Sequence, residues 1–455
     1  MLWNTQLIHK YNISGPRYTS YPTAPQFSAS ISKLSLIEKM LTPSSQPLSL
    51  YFHVPYCAKL CYYCACNKVI TSNYKKGDEY LELLIEEIRL KSLMIDENRE
   101  VQQLHFGGGT PTFLSIEAFT KLMNYLKQNF NMLEDDKGEY SIEVDPREIS
   151  QEKLVALREL GFNRLSFGIQ DFNKRVQTTI NRIQSYELID ELMQKSRELS
   201  YRSINFDLIY GLPYQTFESF STTLDQVIAL DPDRISVFNY AHLPKRFASQ
   251  RQIPEEQLPD GDTKLAIFKL CIDKLTNAGY QYIGMDHFAK PEDSLAIAQN
   301  KGELKRNFQG YTTHADCDLL AFGTSAISQI GHTYVQNHTA TKDYRKSIES
   351  GQLAIMKGYV SNRDDQIRHD VIMALICNFE LNTQEIESKF NIVFNTYFKN
   401  ELLELRKLEK DGIIELNNKP HLTLKVTDSG RLLIRCICMT FDRYLNNVIS
   451  YSKVI

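Results

Sequence analysis

An alternation of short apolar runs with amphipathic stretches constrains the fold of this 455-residue chain more than any other feature. The apolar runs are typical of buried strands, and the amphipathic stretches are typical of helices. Six strands are predicted in succession, at 48–54, 101–106, 140–144, 164–169, 203–209 and 234–240. Strands that alternate with helices form parallel sheets through right-handed crossovers, so an α/β fold is expected.

The intervening helices support the same architecture. Ser115 is a capping residue before one of them, and Gly161 ends another. The predicted helices span 78–94, 116–130, 150–160, 186–199 and 217–230, and a further helix at 263–278 precedes a seventh strand at 281–286. This pattern predicts a partial (β/α)6 barrel or an open parallel sheet.

Polar or glycine-rich residues follow the end of each of the six predicted strands. They are a cysteine-rich loop, the glycines at 107–109, Glu143, Gln170, Asp207 and Ala241. In parallel α/β folds, ligands bind at the carboxyl ends of the strands. The sequence therefore predicts a ligand site at this edge of the sheet.

The chain is expected to contain one large domain flanked by smaller segments. Residues 1–47 are rich in Pro, Ser and Tyr, and they are predicted to form an extended arm because proline blocks regular helix. The barrel is predicted over 48–290, a connecting segment over 291–360 and a mostly helical domain over 361–455.

The C-terminal domain resembles a winged-helix module in the order of its elements. Its predicted helices span 363–377, 382–390, 397–410 and 427–445, and a hairpin pairs 413–416 with 421–426. Winged helices often bind DNA, but this domain contains 13 Lys and Arg against 13 Asp and Glu. A neutral module is poorly suited to a phosphate backbone. We therefore expect no nucleic-acid partner and a scaffold or lid for the barrel.

Charge and hydropathy also restrict the cellular location that is predicted for the chain. The formal net charge is −3, and no apolar run approaches the length of a membrane span. Residues 1–12 do not show a basic region followed by a long apolar stretch, so no secretory signal is expected. The chain is therefore predicted to be cytoplasmic.

Four of the nine cysteines lie within ten residues, at 57, 61, 64 and 66. In a reducing cytoplasm, clustered cysteines favour metal binding or catalysis over disulfides. The spacing of Cys57, Cys61 and Cys64 lets one loop wrap around three corners of an iron–sulfur cluster, while Cys66 is expected to point away. One iron is then open for a substrate or cofactor. The alternative is a four-cysteine zinc site, although only Cys61 and Cys64 have the spacing of a zinc knuckle.

Six residues near the predicted strand ends and the cysteine loop admit two interpretations: Tyr51, Tyr63, Glu143, Gln170, Arg182 and Asp207. The tyrosines can stack on an adenine ring or pack in the core. The polar side chains can hold the ribose and the charged ends of a nucleoside, or they can be helix caps and surface groups.

The motifs resemble those of the radical S-adenosylmethionine (SAM) superfamily, in which a Cys-x3-Cys-x2-Cys loop follows the first strand and a glycine turn follows the second. The similarity extends to His53-x-Pro55 before this loop and to the segments 15–23, 284–289 and 306–313. With these segments, the chain resembles the oxygen-independent coproporphyrinogen III oxidase family of haem biosynthesis over nearly its whole length.

The resemblance implies an oxidoreductase with one [4Fe–4S] cluster on Cys57, Cys61 and Cys64. SAM would bind the open iron through its methionine end and yield a 5′-deoxyadenosyl radical on reduction. The radical would abstract hydrogen from the β-carbon of two propionates of coproporphyrinogen III in turn. Loss of CO2 and one electron would then give the vinyl groups of protoporphyrinogen IX. A flavodoxin or ferredoxin would supply electrons to a monomeric enzyme.

The resemblance also assigns residues around two SAM molecules: Tyr51, Tyr63, Gly108, Gly109, Thr110, Glu143, Gln170, Arg182, Asp207, Ala241 and Ile327. It assigns Cys66, Tyr51 and Glu143 to catalysis, with Cys66 outside the set of cluster ligands. Since the substrate carries four carboxylates, Arg17 and Arg306 are hypothesised to bind them.

Two other functions are weighed against this one. A haem chaperone of the same superfamily shares the barrel, but in that branch the fourth cysteine is replaced and the arm motif at 15–22 is missing, so Cys66 favours the enzyme. An iron–sulfur DNA-binding sensor would use the winged-helix-like end, and the neutral charge of that end argues against it.

Overall fold

The computed structural model describes residues 3–314, 316–418 and 420–445. Its backbone separates into two compact units. The sheet unit comprises Ser28–Gly279 and Asp316–Val360, and the terminal unit comprises Met1–Phe27, Tyr280–Ala315 and Ser361–Ile455. Each unit is therefore built from segments that are distant in sequence.

Six parallel strands form the centre of the sheet unit. They are β1 (Leu48–Val54), β2 (Glu100–Gly108), β3 (Glu139–Val144), β4 (Arg164–Gln170), β5 (Ser203–Tyr210) and β6 (Arg234–Asn239). They lie side by side in the order β6-β5-β4-β3-β2-β1, and each neighbouring pair is parallel. The prediction of an α/β fold with a parallel sheet is confirmed.

Four further strands extend this sheet beyond β1. They are β7 (Asp318–Phe322), β8 (Ile327–Ile330), β9 (Thr333–Asn337) and β10 (Ile355–Val360). β7 is parallel to β1, and the remaining neighbours are antiparallel. The sequence pattern predicts only a connecting segment here, because these short strands are not separated from one another by regularly alternating helices.

Helices alternate with the strands of the sheet unit. They are α1 (Lys33–Met40), α2 (Lys75–Ser92), α3 (Ile116–Asn129), α4 (Gln151–Glu159), α5 (Lys174–Thr179), α6 (Tyr186–Glu198), α7 (Phe217–Leu230), α8 (Gly261–Asn277) and α9 (Thr341–Glu349). Ser115, Ser150, Ser185 and Thr216 each accept a hydrogen bond from a backbone N–H in the first turn of the helix that follows. These caps explain why the predicted helix starts agree closely with the structure.

Aromatic rings fix β1 in the core. Phe52 of β1 stacks on Phe106 of β2 and Phe322 of β7, with centroids 4.7 and 4.6 Å apart. Phe119 and Phe162 pack edge-on against Phe106, each at 5.5 Å. All five rings are fully buried. The strand that leads into the cysteine loop is thus held on both sides by close packing.

The terminal unit contains helices and short antiparallel strands. Its helices are Thr5–Tyr11, Ser294–Asn300, Arg363–Asn378, Thr383–Phe390, Phe394–Tyr397, Lys399–Lys410 and Ile434–Met439. Its strands are Gln281–Gly284, His287–Ala289, Lys305–Asn307, Gly310–Thr312, Glu380–Asn382, Ile414–Asn417 and Thr423–Val426. The last three strands form an antiparallel sheet with Thr423–Val426 in its centre. The predicted mostly helical C-terminal domain with a hairpin is confirmed.

The final helix is shorter than the sequence predicts. A helix is expected over 427–445, but the α-helix spans Ile434–Met439 and follows a short 3-10 turn. Gly430 N–H donates to the Thr427 hydroxyl at 3.2 Å and forms a turn before the helix begins. The side-chain hydrogen bond therefore competes with helix at this point.

The N-terminal arm is less extended than the sequence predicts. Two short helices flank the proline-rich stretch along the chain: Thr5–Tyr11 precedes it and α1 follows it. The Asn4 side chain accepts from Leu7 N–H at 3.1 Å and caps the first of them. None of the helices in the described ranges is both long and apolar enough to span a membrane.

Candidate functional site

The cysteine loop leaves the end of β1 and is closed at its base by a short parallel pair. Residues Tyr56–Cys57 pair with Val69–Ile70, and Val69 N–H donates to the carbonyl of Pro55 at 2.7 Å. The loop between these strands contains Cys61, Cys64 and Cys66. A closed base holds the positions of the thiols relative to β1.

Backbone groups along the cysteine loop are anchored by residues from later elements. Tyr62 N–H donates to the carbonyl of Ile180 at 3.0 Å, and the Asn181 side chain donates to the carbonyl of Leu60 at 2.7 Å. The Gln250 amide donates to the carbonyl of Tyr63 at 2.9 Å. The loop conformation therefore depends on contacts across more than a hundred residues of sequence.

An apolar cluster shields one side of the cysteine loop. Tyr62 and Tyr63 pack against a buried group of side chains, which comprises Val176, Ile180, Leu212, Tyr240 and Ile253. This packing excludes water from one side of the thiols and lowers the local dielectric.

The four thiols differ in exposure and in hydrogen bonding. All four are free; Cys57 and Cys61 are buried, Cys64 is half-buried and Cys66 is exposed. Burial raises the pKa of Cys57 to about 11. The hydrogen bond with Cys66 and the charge of Lys68 lower the pKa of Cys64 to about 6 against the opposing effect of burial. Cys66 therefore stands apart from the other three.

The donor set fits an iron–sulfur cluster. The Thr110 hydroxyl donates to Cys57 Sγ at 3.3 Å, and two guanidinium groups, those of Arg147 and Arg182, donate to Cys61 Sγ at 3.2 and 3.5 Å. Hydrogen-bond donors around thiolate ligands are typical of such clusters. Within the described ranges, no three His, Cys, Asp or Glu side chains are placed to hold a single metal ion.

A cavity of about 300 Å³ opens beside the cysteine loop at the carboxyl ends of the strands. The predicted residues that line it are Cys57, Cys61, Tyr63, Cys64, Cys66, Gly108, Gly109, Thr110, Glu143, Gln170, Arg182 and Asp207. The structure thus brings the cysteine loop and the ends of β2, β3, β4 and β5 together around one space.

Three predicted residues of the sheet unit do not line this cavity. The Tyr51 ring stacks on His105 with centroids 5.9 Å apart, and its hydroxyl lies 3.2 Å from His53 Nδ1. Ala241 is exposed just beyond β6, and Ile327 is half-buried at the start of β8. The remaining two predicted residues, Arg17 and Arg306, belong to the terminal unit.

The glycine turn after β2 packs tightly against the base of the cysteine loop. A Cβ on Gly108 would lie 2.7 Å from the His53 ring, and one on Gly109 would lie 2.7 Å from the carbonyl of Pro55. Gly108 also has a φ of +117°, which side chains rarely adopt. Its N–H donates to Glu143 Oε2 at 3.0 Å, and that of Gly109 donates to the carbonyl of Val54 at 2.8 Å. These N–H groups are therefore occupied within the protein.

An ion cluster that the sequence did not reveal lies next to Cys61. Asp145 Oδ2 lies 2.7 Å from Arg147 Nη2 and 3.1 Å from Arg182 Nη1. Burial opposes ionisation of Asp145, but the charge of Arg182 and the hydrogen bonds of Arg147 lower its pKa to about 2. Arg147 follows the end of β3 by only three residues, which was the available signal for its place at the site.

Asp207 is a second unusual carboxyl group at the cavity. It accepts hydrogen bonds from Ser166 Oγ at 3.0 Å and Asn205 Nδ2 at 2.9 Å. Burial raises the pKa of Asp207 to about 6 despite these donors, and the nearby charge of Glu143 acts in the same direction. The folded state therefore holds the ionised Asp207 carboxylate at a cost, in contrast to Asp145, whose ionised form is stabilised by the two arginines.

Replacing Asp207 by asparagine is expected to remove a pH-dependent cost to folding. Because the folded-state pKa of about 6 lies above the ordinary aspartate value of 3.8, the folded protein binds a proton more tightly than the unfolded chain, and stability falls as the pH rises through this window. At 1.36 kcal/mol per pKa unit the full cost is up to about 3 kcal/mol, of which about 1 kcal/mol develops between pH 5 and pH 8. Urea unfolding of both proteins at these pH values measures it. An advantage of Asp207→Asn that does not grow with pH contradicts the expectation.

Two family models match the chain. The model described as the radical SAM superfamily matches residues 51–227, and the model described as the HemN C-terminal domain matches residues 362–433. The first match contains the cysteine loop and the strand ends up to Asp207, and the second lies within the terminal unit.

Named proteins resemble the chain over its full length. The oxygen-independent coproporphyrinogen III oxidase of Pseudomonas aeruginosa is 51% identical over 100% of this chain and 99% of the relative. The protein of the same name from Escherichia coli is 50% identical over 100% of this chain and 98% of the relative. A solved structure of coproporphyrinogen III oxidase (HemN) from Escherichia coli, described as a radical SAM enzyme, is 49% identical with a TM-score of 0.92, covering 98% of this chain and 99% of that one.

Proposed function

Because this chain belongs to the oxygen-independent coproporphyrinogen III oxidase family, we propose that the cavity of its sheet unit converts coproporphyrinogen III to protoporphyrinogen IX. The protein is an oxidoreductase of the radical SAM superfamily. Each of two propionates loses a hydrogen atom from its β-carbon to a 5′-deoxyadenosyl radical, then CO2 to solvent and one electron to a one-electron acceptor, and becomes a vinyl group. The observation that carries the proposal is the convergence of three cysteines with polar strand ends on one cavity.

The cofactors of this reaction are a [4Fe–4S] cluster and SAM, which together supply the 5′-deoxyadenosyl radical when bound. We propose that Cys57, Cys61 and Cys64 hold the cluster, since their thiols lie in one anchored loop and those of Cys57 and Cys61 accept hydrogen bonds. Cys66 is exposed and is proposed to act in catalysis without ligating iron.

The polar strand ends are proposed to bind the nucleoside of SAM. The carboxyl groups of Glu143 and Asp207 accept hydrogen bonds and suit ribose hydroxyls, while Gln170 and Arg182 suit the charged methionine end. Gly108, Tyr51 and Ala241 complete this proposed set. A second SAM is proposed at Tyr63, Gly109, Thr110 and Ile327, of which the first three line the cavity.

We propose a low-potential one-electron carrier, such as a flavodoxin or ferredoxin, as the electron donor. Support comes from the exposure of the cysteine loop. Cys64 is half-buried and Cys66 is exposed, so one edge of the set of four cysteines lies near solvent. The monomeric state, the cytoplasmic location and the segment boundaries at residues 47, 290 and 360 stay predictions from the sequence.

Anaerobic reconstitution tests the proposed function. The protein is loaded with iron and sulfide, reduced, and supplied with SAM and coproporphyrinogen III. We expect 5′-deoxyadenosine and protoporphyrinogen IX, with two molecules of CO2 per porphyrinogen. A sample with a full cluster that forms neither product would refute the proposal. A parallel haem titration separates the enzyme from a haem chaperone.

Arg306 is proposed to bind a carboxylate of the substrate. It is nine-tenths buried in the terminal unit, its guanidinium carbon lies 4.6 Å from the Tyr311 ring centroid, and within the described residues its Nε and Nη1 have no hydrogen-bond partner. A buried guanidinium with free N–H groups suits an anionic ligand. Arg17 is half-exposed and ion-paired with Asp286, so its contribution is proposed to be smaller.

Replacing Arg306 by methionine is expected to raise the KM for coproporphyrinogen III about tenfold, since a hydrogen bond to a charged group contributes about 1.5–3 kcal/mol. The KM for SAM should stay unchanged. Lys305→Met is the matched control, because it removes the same charge from an exposed neighbour. If Arg306→Met and Lys305→Met have the same KM, the role in substrate binding is wrong.

A further inference from the structure

Arg147 occupies a buried position against one thiol of the cysteine loop. It lies in the 3-10 turn Pro146–Glu148 directly after β3, and its side chain is only 6% exposed. Its Nη2 lies 3.2 Å from Cys61 Sγ. The two residues are 86 positions apart, so the contact depends on the fold.

Three further hydrogen bonds fix the orientation of this guanidinium. Nε donates to Asp145 Oδ1 at 3.0 Å, Nη2 donates to Asp145 Oδ2 at 2.7 Å, and Nη1 donates to the carbonyl of Asn181 at 3.2 Å. The planar fork of arginine is thus held on two sides, which leaves little freedom at the Cys61 contact. The N–H···S geometry is therefore built into the fold rather than formed by a mobile surface side chain.

The charges around Cys61 do not cancel. Arg147 and Arg182 both contact Asp145 and both donate to Cys61 Sγ, so two cations share one carboxylate. One positive charge is left over and faces the thiol. Cys57, in contrast, receives its hydrogen bond from the neutral hydroxyl of Thr110. The environments of Cys61 and Cys57 are therefore electrostatically different, with charged donors at Cys61 and a neutral donor at Cys57.

Arg147 differs from Arg182 in its position relative to the cavity and the proposed SAM site. Arg182 lines the cavity and belongs to the proposed SAM site, whereas Arg147 is not among the cavity-lining residues. Its contact with Cys61 Sγ does not involve SAM or substrate. An effect of Arg147 on the cluster is therefore expected before SAM or substrate is added.

We propose that Arg147 is a positioning residue that raises the reduction potential of the cluster held by Cys57, Cys61 and Cys64, an inference that rests on the proposed function. Reduction adds one electron from a low-potential one-electron carrier to the cluster, with no proton transfer, and increases the negative charge on the thiolate sulfurs. Hydrogen bonds to these sulfurs and a buried positive charge stabilise the reduced form. The screening of this charge is weak because the site is buried.

The test is a potentiometric titration of the reconstituted cluster, followed by electron paramagnetic resonance without SAM or substrate. Arg147→Met removes the donor and the charge. We expect the ratio of reduced to oxidised cluster at a fixed potential to fall at least tenfold, which corresponds to 59 mV for a one-electron couple. Arg147→Lys keeps a charge without the planar fork and is expected to fall between the wild type and Arg147→Met.

Arg89→Met is the matched control, since it removes one positive charge from α2 of the same unit, where Arg89 pairs with Glu86 and has no described contact with the cysteine loop. Its midpoint is expected to equal that of the wild type. If Arg147→Met binds less iron than the wild type, the inference is tested on Arg147→Lys instead. This variant must then show a ratio of reduced to oxidised cluster at least threefold below that of the wild type. Equal midpoints for the Arg147 variants and Arg89→Met overturn the inference. Because no SAM cleavage is measured, that result would leave the proposed function standing.

Discussion

Replacing Cys57, Cys61 or Cys64 individually by alanine is expected to reduce iron binding after reconstitution to a small fraction of the wild-type value and SAM cleavage to the level of the cluster-free protein. Each variant leaves two of the three proposed thiolate ligands, and ligation of the cluster depends on all three. Iron and sulfide analysis together with the visible absorption spectrum measures cluster content. 5′-Deoxyadenosine measures SAM cleavage.

Cys66→Ala is the matched control for these variants, because it removes a thiol from the same loop. Cys66 is exposed and is proposed to lie outside the ligand set. We expect it to bind the same iron as the wild type and to form little protoporphyrinogen IX. If Cys66→Ala loses the cluster as the other three variants do, the proposed division into three ligands and one catalytic thiol is wrong.

Replacing Lys91 by methionine is expected to lower the free energy of unfolding of the protein by about 3 kcal/mol. Lys91 Nζ lies 2.8 Å from Glu87 Oε1, and both side chains are almost fully buried on α2. Loss of the ammonium group leaves a buried carboxylate without its counter-ion. Glu87 keeps three donors, which are Asn337 Nδ2, Gly323 N–H and the Tyr344 hydroxyl, each at 2.7 Å. Because these donors still stabilise the carboxylate, the expected loss of unfolding free energy is at the lower end of the range for buried ion pairs that lose one partner.

Urea unfolding of Lys91→Met, Glu87→Gln and the double variant measures the effect and its coupling. The double variant should lose less than the sum of the single losses, because it removes both charges. Lys121→Met is the control, since Lys121 pairs with Glu82 on the surface and such a pair contributes about 1 kcal/mol or less. Additive losses in the double variant would show that the two side chains do not act as an ion pair.

The strands and helices of the sheet unit could be predicted closely because their signals are local. Predicted strand 48–54 is β1, and predicted helix 217–230 is α7. Alternation of apolar runs, turn residues and capping side chains such as Ser115 acts over a few neighbouring residues, where sequence and structure are tightly coupled. The cysteine loop and the polar strand ends were visible for the same reason.

The elements that were missed depend on contacts between distant parts of the chain. β7 pairs with β1, which lies about 270 residues earlier, and the helix predicted at 427–445 is shortened by the turn at Thr427 and Gly430. Hydrogen-bond partners and strand neighbours of this kind are selected by packing, which no local pattern records.

By itself, the sequence determined the parallel α/β architecture, the cysteine loop after β1 and the polar edge at the carboxyl ends of the strands. Only the tertiary structure decided which groups surround each thiol: it brought Arg147 and Arg182 to Cys61, and Thr110 to Cys57. It also placed the Glu87 carboxylate against residues more than 200 positions away. The physical reason is that strands and caps arise from local backbone preferences, whereas charge and hydrogen-bond environments arise from side chains that meet only when the chain is packed.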